Sequence, residues 1–201
     1  MPLAKKMAIT VGDPAGVGPD VIAAWAKSAP KQFLERVEVL AHSDFLDTLP
    51  AELGKRPIGP ADFRAKAGEP SAEGCEIAAL ALEAAASGCL SGLYSAVITG
   101  PISKFEMRKI GFDFPGQTEF FAARWGGKPV MCFAGGELLV SLATWHEPLS
   151  EVPSLLGFGR ISRAVEAAAE LARRLRGADA PRIAVCGLNP HAGEDGLMGR
   201  E

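Results

Sequence analysis

Two of the three histidines in this chain occupy positions where a metal ion could be bound. His146 and His191 both fall in polar segments that directly follow apolar, strand-like runs. Histidine is the commonest metal ligand and titrates near neutrality, so both are candidate ligands of a divalent cation. The alternative for each is a polar loop residue that makes one hydrogen bond. Two imidazoles also do not complete a catalytic metal site, which usually has three protein ligands.

The neighbours of these histidines strengthen the metal-binding interpretation. Residues 189–194 (NPHAGE) place an amide, an imidazole and a carboxylate around a rigid proline and a permissive glycine. A purely structural turn rarely needs all three polar types. His146 is followed by Glu147, whose carboxylate could orient the imidazole ring as an outer hydrogen-bond acceptor. A solvated Glu147 is the equal alternative.

Three further residues could contact an anionic or hydroxylated ligand. The segment 99–104 (TGPISK) offers two hydroxyls and the ammonium of Lys104, which suit a phosphate or a carboxylate. Gln117 and Thr118 either cap a helix or contact a ligand, whereas the two phenylalanines after Glu119 are expected in the core. Read alone, Lys104 is more typical of a solvated helix residue.

The glycine-rich segment 12–19 (GDPAGVGP) does not match the dinucleotide-binding pattern. Its glycines, Gly12, Gly16 and Gly18, lack the G-x-G-x-x-G spacing. The segment is instead typical of a tight turn at the start of a helix. Such a turn can direct backbone N–H groups toward an anion, or it can be purely structural.

The elements that must position these residues follow from the pattern of apolar runs and helical periodicity. Strands are expected at 7–11, 37–41, 94–99, 130–133, 138–144 and 182–188, and helices at 20–29, 71–87, 103–109 and 159–176, with an irregular connection over 49–70. Apolar strands alternating with helices predict a mostly parallel sheet covered by helices on both faces. Ligands bind such sheets at the carboxyl ends of the strands, where all the candidate loops fall.

Composition narrows the class of partner. With 48% hydrophobic and 22% charged residues, the chain has the balance of a globular protein. A net charge of -3 without a basic run gives no electrostatic reason to expect nucleic acid or an acidic membrane. The four scattered cysteines form no C-x-x-C pair, and the sequence shows no signal peptide or apolar run long enough to span a bilayer. These features predict a cytoplasmic protein with reduced thiols and a small-molecule ligand.

Five segments, taken in order, resemble the signature segments of the 4-hydroxythreonine-4-phosphate dehydrogenase family: GDPAGVGPD, ITGPISK, FPGQTEFFA, ATWHEPL and VCGLNPHAGEDGLMG. The resemblance spans nearly the whole chain and is strongest after Ala96. It implies an α/β fold like that of isocitrate and isopropylmalate dehydrogenases, and a homodimer. It also implies three metal-binding histidines, two of which match His146 and His191. Gln117 and Thr118 match positions that touch the substrate, and Lys104 is a further anion contact.

The activity implied by the resemblance is NAD-dependent oxidation, with decarboxylation, of 4-phosphooxy-L-threonine in vitamin B6 synthesis. The cofactors would be NAD or NADP and a divalent metal, zinc first, with magnesium or cobalt as alternatives. Other readings are a sister dehydrogenase of D-threonate or D-erythronate 4-phosphate, and a catalytically incomplete binding or dimerisation fragment. A phosphate acyltransferase is disfavoured, because it would not need NPHAGE.

The chain departs from the family pattern in two places. Where the family commonly has His-Thr, this chain has Gln117-Thr118, which keeps a hydrogen-bonding side chain but no titratable one. Family chains also continue beyond GLMG, and the third metal histidine lies there. We therefore expect the C-terminal part of the fold to be missing, with a first α/β lobe over 1–100 and a second lobe over 101–201 that carries the metal-ligand loops and dimer contacts.

Overall fold

The computed structural model describes residues 5–199, which divide after Gly127 into two compact units. The strands are β1 (Lys6–Thr10), β2 (Val37–Ala41), β3 (Gly54–Pro57), β4 (Tyr94–Thr99), β5 (Cys132–Gly135) and β6 (Leu138–Ser141). The α-helices are α1 (Gly18–Ser28), α2 (Lys31–Leu34), α3 (Ser43–Asp47), α4 (Ala72–Leu90), α5 (Lys104–Lys109), α6 (Gln117–Trp125), α7 (Val152–Leu155) and α8 (Phe158–Arg176). Short 3-10 turns occur at Leu149–Glu151 and Glu194–Gly196.

The first unit is built on a parallel sheet with strand order β3-β2-β1-β4. Side chains alternate across each strand, so Ile9 of β1 packs with Ile22 of α1 on one face. On the other face Leu40 of β2 packs with Ile77 of α4. All four side chains are buried. Burial of each such side chain contributes about 1.5–3 kcal/mol, which holds helices against both faces of the sheet. The parallel sheet with helices on both faces confirms the predicted α/β fold class.

Helices α5 and α6 also belong to the first unit, because they bury their apolar sides against α4. The cluster they share comprises Cys75, Ala78, Leu82, Ala86, Met107, Phe112, Phe120 and Phe121. Phe120 and Phe121 are 2% and 7% exposed, which confirms their expected place in the core. The division between the units therefore falls after Gly127 and not near residue 100, where the sequence suggested it.

The second unit contains a two-stranded antiparallel hairpin, β5-β6, and the long helix α8. Gly136 in the turn has φ +48°, a conformation that glycine adopts without strain. The hydroxyl of Ser141 in β6 donates to the carbonyl oxygen of Ala164 in α8 at 2.7 Å. Strands β5 and β6 and helix α8 lie close to the predicted segments. Their sheet is antiparallel, so the parallel prediction holds for the first unit.

Three expected features differ in the structure. Strand β3 lies inside the connection predicted to be irregular, because its backbone pairs with β2 although its residues, GKRP, are poor strand formers. Helix α4 continues through Gly88 to Leu90. A glycine stands at this position because the Tyr94 ring packs there: an added Cβ would lie 2.3 Å from Tyr94 Cδ2. Residues 182–188 form no strand, because the β5-β6 sheet does not extend to them.

Two sequence expectations about cysteines and membranes can be compared directly with the structure. Cys75, Cys89, Cys132 and Cys186 are all free thiols. Within residues 5–199, no helix is both long and apolar enough to cross a bilayer.

His42 is a buried histidine that directly follows β2. It is 3% exposed, and its ring meets the Phe63 ring edge-on, with 5.3 Å between centroids. Its Nδ1 atom has no hydrogen-bond partner among the described residues. Burial lowers the pKa of His42, because the imidazolium form would lose its hydration; Asp44 opposes this effect and Arg64 adds to it.

We predict that His42 makes folding sensitive to acid. The pKa of His42 is lower in the folded chain than in the unfolded chain, so the unfolded chain binds a proton first as the pH falls. The contribution of neutral His42 to the free energy of unfolding is therefore fully present above the unfolded pKa, about 6.5, and is lost as the pH falls toward the folded pKa. His42→Phe should therefore flatten the decline in the free energy of unfolding between about pH 7.5 and pH 5.5, measured by urea denaturation. Equal slopes in parent and His42→Phe would contradict the prediction.

Candidate active site

Backbone hydrogen bonds join the loop after β1 to the loop after β4. The N–H of Gly100 donates to the carbonyl oxygen of Thr10, and the N–H of Asp13 donates to that of Pro101, both at 2.8 Å. Because β1 and β4 are adjacent and parallel, their carboxyl ends lie at one edge of the sheet. Two of the four loops predicted to carry ligand contacts are thus held side by side.

Glycine is required where these two loops meet. An added Cβ would lie 2.3 Å from Pro101 O at Gly12, 2.1 Å from Val11 O at Gly18, and 2.3 Å from Val11 O at Gly100. All of these neighbours are backbone atoms, which cannot move aside by a change of rotamer. Close backbone packing accounts for these glycines, as the structural alternative for the 12–19 segment predicted.

Asp13 closes the turn after β1 and was not singled out from the sequence. It is 6% exposed, and its Oδ1 accepts from the N–H of Ala15 at 2.9 Å. Its carbonyl oxygen accepts from the N–H of Gly16 at 3.0 Å. The signal for this role was the Asp-Pro pair after Gly12, which is typical of a turn whose aspartate bonds its own backbone.

Gln117 is brought to the loop after β4. Its side-chain nitrogen donates to Gly100 O at 3.0 Å, while its Oε1 is enclosed and has no partner among the described residues. Neither Gln117 nor Thr118 caps a helix, because the N-cap of α6 is Gly116 and it receives no side-chain bond. Gln117 Oε1 is thus a buried acceptor without a partner among the described residues, and Thr118 is exposed beside it in the chain.

Lys104 lies near the start of α6. It is exposed at the first position of α5, and a Cβ added to Gly116 would come 3.9 Å from its Nζ atom. The first N–H groups of a helix lack partners within the helix and carry partial positive charge, so with Lys104 they suit an anion. Glu119 Oε2, 3.0 Å from the same point, offsets part of that charge. Ser103 has a structural role: its hydroxyl caps α5 by accepting from the N–H of Glu106 at 3.4 Å.

His146 lies in the second unit, in the segment between β6 and the 3-10 turn Leu149–Glu151. Its φ of +61° is unusual for a residue with a side chain. Of the two alternatives for Glu147, neither the contact with this imidazole nor a purely solvated side chain is found among the described residues. Glu147 instead accepts from Arg160 Nη1 at 2.8 Å, and this hydrogen bond lowers the pKa of Glu147. The carboxylate next to His146 thus ties the loop to the first turn of α8.

His191 lies in a tight polar turn of the second unit. Its N–H donates to Asn189 Oδ1 at 2.9 Å, and its ring Nδ1 lies 2.6 Å from Glu194 Oε1. The side chains of His191 and Glu194 are 50% and 54% exposed. His146 and His191 occupy separate loops, and within residues 5–199 no three His, Cys, Asp or Glu side chains are grouped to hold a metal ion.

The fold is that of a class of dehydrogenases. The structure matches 4-hydroxythreonine-4-phosphate dehydrogenase from Klebsiella pneumoniae with a TM-score of 0.82 and 27% identity, over 98% of this chain and 68% of that chain. The enzyme of the same name from Burkholderia phymatum matches with a TM-score of 0.81 and 26% identity, over 98% and 66%. These matches confirm the predicted α/β fold class.

The sequence comparisons then define the family. Dehydrogenases of the same name from Chromobacterium violaceum and Erythrobacter litoralis are both 37% identical to this chain, which they cover over 100% and 98% of its length. In both cases the chain spans 66% of the relative, about two thirds of its length. The profile described as "Pyridoxal phosphate biosynthetic protein PdxA" matches residues 17–201. The chain belongs to the PdxA family, which confirms the resemblance seen in its motifs.

We predict that Lys104 supplies most of the affinity of the first unit for a simple anion. Lys104→Met should weaken binding of inorganic phosphate about tenfold, the usual effect of losing one charged hydrogen bond. Titration followed by phosphorus NMR would measure it. The matched control is Lys109→Met at the other end of α5, where the ammonium already pairs with Glu106 at 2.8 Å. Equal losses in the two variants would argue against a localised anion site.

Proposed function

We propose that this chain carries out, or forms part of an enzyme that carries out, the oxidation and decarboxylation of 4-phosphooxy-L-threonine in pyridoxal phosphate synthesis. Family membership over residues 17–201 carries the proposal, supported by relatives of that name at 37% identity. In this reaction NAD+ is the hydride acceptor and a divalent cation supplies Lewis acidity at the oxidised hydroxyl. The substrate loses a hydride from C3 to NAD+ and a proton from its 3-hydroxyl oxygen. The resulting 3-oxo acid then loses CO2 as the bond to its carboxylate breaks, and C2 takes a proton from solvent.

Within the first unit, we assign substrate binding to three residues. Lys104 and the start of α6 bind the phosphate or the carboxylate, supported by the short separation between Gly116 and the Lys104 ammonium. Gln117 contacts the substrate from the loop after β4, supported by its side-chain bond to Gly100 O. Thr118, exposed in the first turn of α6, adds a second hydroxyl contact. Gln117 cannot exchange a proton, so its part is orientation only.

Within the second unit, we assign metal binding to His146 and His191. The chemistry of the donors fits this assignment: imidazole suits zinc and cobalt, whereas magnesium prefers oxygen ligands. The contact of His191 Nδ1 with Glu194 leaves the other ring nitrogen for a cation. We therefore propose zinc before cobalt, and magnesium last.

The second candidate is a dehydrogenase of the same fold with a different substrate. One observation favours keeping it: a terephthalate 1,2-cis-dihydrodiol dehydrogenase from Burkholderia xenovorans matches this chain with a TM-score of 0.69 and 26% identity. The fold thus accommodates more than one substrate. Within the class of four-carbon phosphates, D-threonate and D-erythronate 4-phosphate are the alternatives that the shared loops allow.

We also propose a cytoplasmic homodimer. Large apolar side chains such as Leu149 and Phe158 are 85% and 89% exposed, and such surfaces are often covered by a partner subunit. Light scattering should therefore give twice the mass of 21.0 kDa. A mass of one chain over the working concentration range would exclude the dimer.

Zinc titration and substrate turnover test the proposed function together. His146→Ala and His191→Ala should each weaken zinc binding by more than about tenfold, measured by calorimetry, because each removes a direct ligand. His42→Phe is the matched control, since it removes the remaining histidine and should leave zinc affinity unchanged. NADH formation should depend on zinc and be abolished by His191→Ala.

The substrate arms of this experiment separate the alternatives. Turnover of 4-phosphooxy-L-threonine, with little of D-erythronate 4-phosphate, supports the proposal, and the reverse selects the sister dehydrogenase. Zinc and phosphate binding without turnover of either substrate would identify a binding fragment. Unchanged zinc affinity in both histidine variants would refute the metal assignment.

A further inference from the structure

The segment between β3 and α4, residues 58–70, is attached to the rest of the first unit by an aromatic contact and by a backbone hydrogen bond. Phe63, which is 7% exposed, packs its ring against the buried ring of His42, with 5.3 Å between centroids. The N–H of Gly68 donates to the carbonyl oxygen of Ala15 at 2.8 Å, which ties the segment to the loop after β1. A change at His42 can therefore reach the carboxyl edge of the sheet through the 58–70 segment.

The surroundings of His42 suit only the neutral form of its imidazole. The residue is 3% exposed, and its ring lies near those of Phe45 and Phe63. Its Nδ1 atom has no hydrogen-bond partner among the described residues. An imidazolium carries a proton on both ring nitrogens, so protonation would bury a charged N–H without an acceptor. Burial of an unpaired charge is strongly unfavourable, so the protonated ring must gain water at the expense of its contact with Phe63.

The charged side chains that act on His42 among the described residues are Asp44 on α3 and Arg64 on the 58–70 segment. Burial lowers the pKa of His42 most, Asp44 raises it, and Arg64 lowers it further. Arg64 Nε also lies 3.2 Å from Asp44 Oδ1, but both side chains are at least half exposed. An exposed ion pair adds little to the attachment of the segment, so the decisive ionic event at this contact is protonation of His42.

We propose that His42 is a pH-sensitive anchor that releases the 58–70 segment from the loop after β1 when its imidazole is protonated. The sheet and α1 stay folded, because the cluster of side chains that they share contains no residue of this segment. The anchor is intact above the unfolded pKa of histidine, about 6.5, and is lost as the pH falls toward the lower folded pKa. The release is independent of the proposed function, since it needs no metal, cofactor or substrate.

Hydrogen exchange of the Gly68 amide, followed by NMR, measures the release directly. Its protection factor, corrected for the pH dependence of intrinsic exchange, should fall roughly tenfold between about pH 7.5 and pH 5.5, the change expected for one proton taken up on opening. The matched control is the Gly100 amide, which donates to Thr10 O at the same distance, 2.8 Å. Protection of Gly100 should stay constant, because this bond joins the ends of β4 and β1 without the 58–70 segment.

Three variants test whether the charge of His42 causes the release. His42→Phe keeps an aromatic ring but binds no proton, so Gly68 should be equally protected at both pH values. Asp44→Asn removes the carboxylate that favours the imidazolium in the closed state and should enlarge the fall about threefold, whereas Arg64→Gln removes the repelling cation and should reduce it about threefold. Each of these two variants is the control for the other, because both break the same ion pair.

The outcomes that overturn the anchor are distinct. Constant Gly68 protection in the parent between the two pH values would reject it, as would an undiminished fall in His42→Phe. A parallel fall at Gly100 would also reject it, because the opening would then be global. If His42→Phe does not fold, the two charge variants decide: changes in the same direction would come from loss of the ion pair alone, and changes in opposite directions support the anchor.

Discussion

The approach of two backbone segments at the carboxyl edge of the parallel sheet constrains the rest of the first unit. At Gly12, Gly18 and Gly100, backbone carbonyl groups lie where any Cβ would have to be. The loops after β1 and β4 therefore pack against each other through their main chains, joined by the hydrogen bonds from Gly100 N to Thr10 O and from Asp13 N to Pro101 O. Their closure fixes where α1 begins, and it presents Gly100 O to the side chain of Gln117. The candidate ligand contacts depend on this junction more than on any single charged residue.

Much of this architecture could be predicted, because the apolar runs are strong and local. The predicted strands at 37–41 and 94–99 have the same bounds as β2 and β4, and Ser71 caps α4 by accepting from Gly74 N at 3.1 Å. These segments bury contiguous apolar side chains, so local pattern and tertiary packing agree. Residue pattern does not predict a strand that depends mainly on backbone pairing. Strand β3 consists of residues that are poor strand formers, and it forms because its backbone pairs with β2. The apolar run 182–188 remains irregular and pairs with no strand among the described residues.

The sequence predicted which residues could belong to the candidate site, but not which of them contact one another. Gln117 was identified as a ligand contact or cap, yet its bond to Gly100 spans 17 positions and follows only from how α6 packs on α4. For Glu147 the sequence left open a contact with its neighbour His146 or a solvated side chain, whereas its partner is Arg160, 13 positions away on α8. Adjacent residues in a loop point in different directions, so sequence proximity is weak evidence for a side-chain contact. Glu194, three positions after His191, reaches the ring through a backbone reversal that no residue pattern in NPHAGE dictates.

The two units use different physical means to hold their candidate residues, and this difference determines which changes each tolerates. In the first unit the positions are set by excluded volume between backbones, so added carbon atoms at the glycines should do more harm than loss of a surface charge. In the second unit, His146 and the 192–195 turn adopt positive φ, and a carboxylate contact secures each segment. Removal of one carboxylate there leaves the strained backbone without the contact that it supports. Glu147 and Glu194 should therefore matter more than their exposure suggests, because each is one half of the contact that orients its loop.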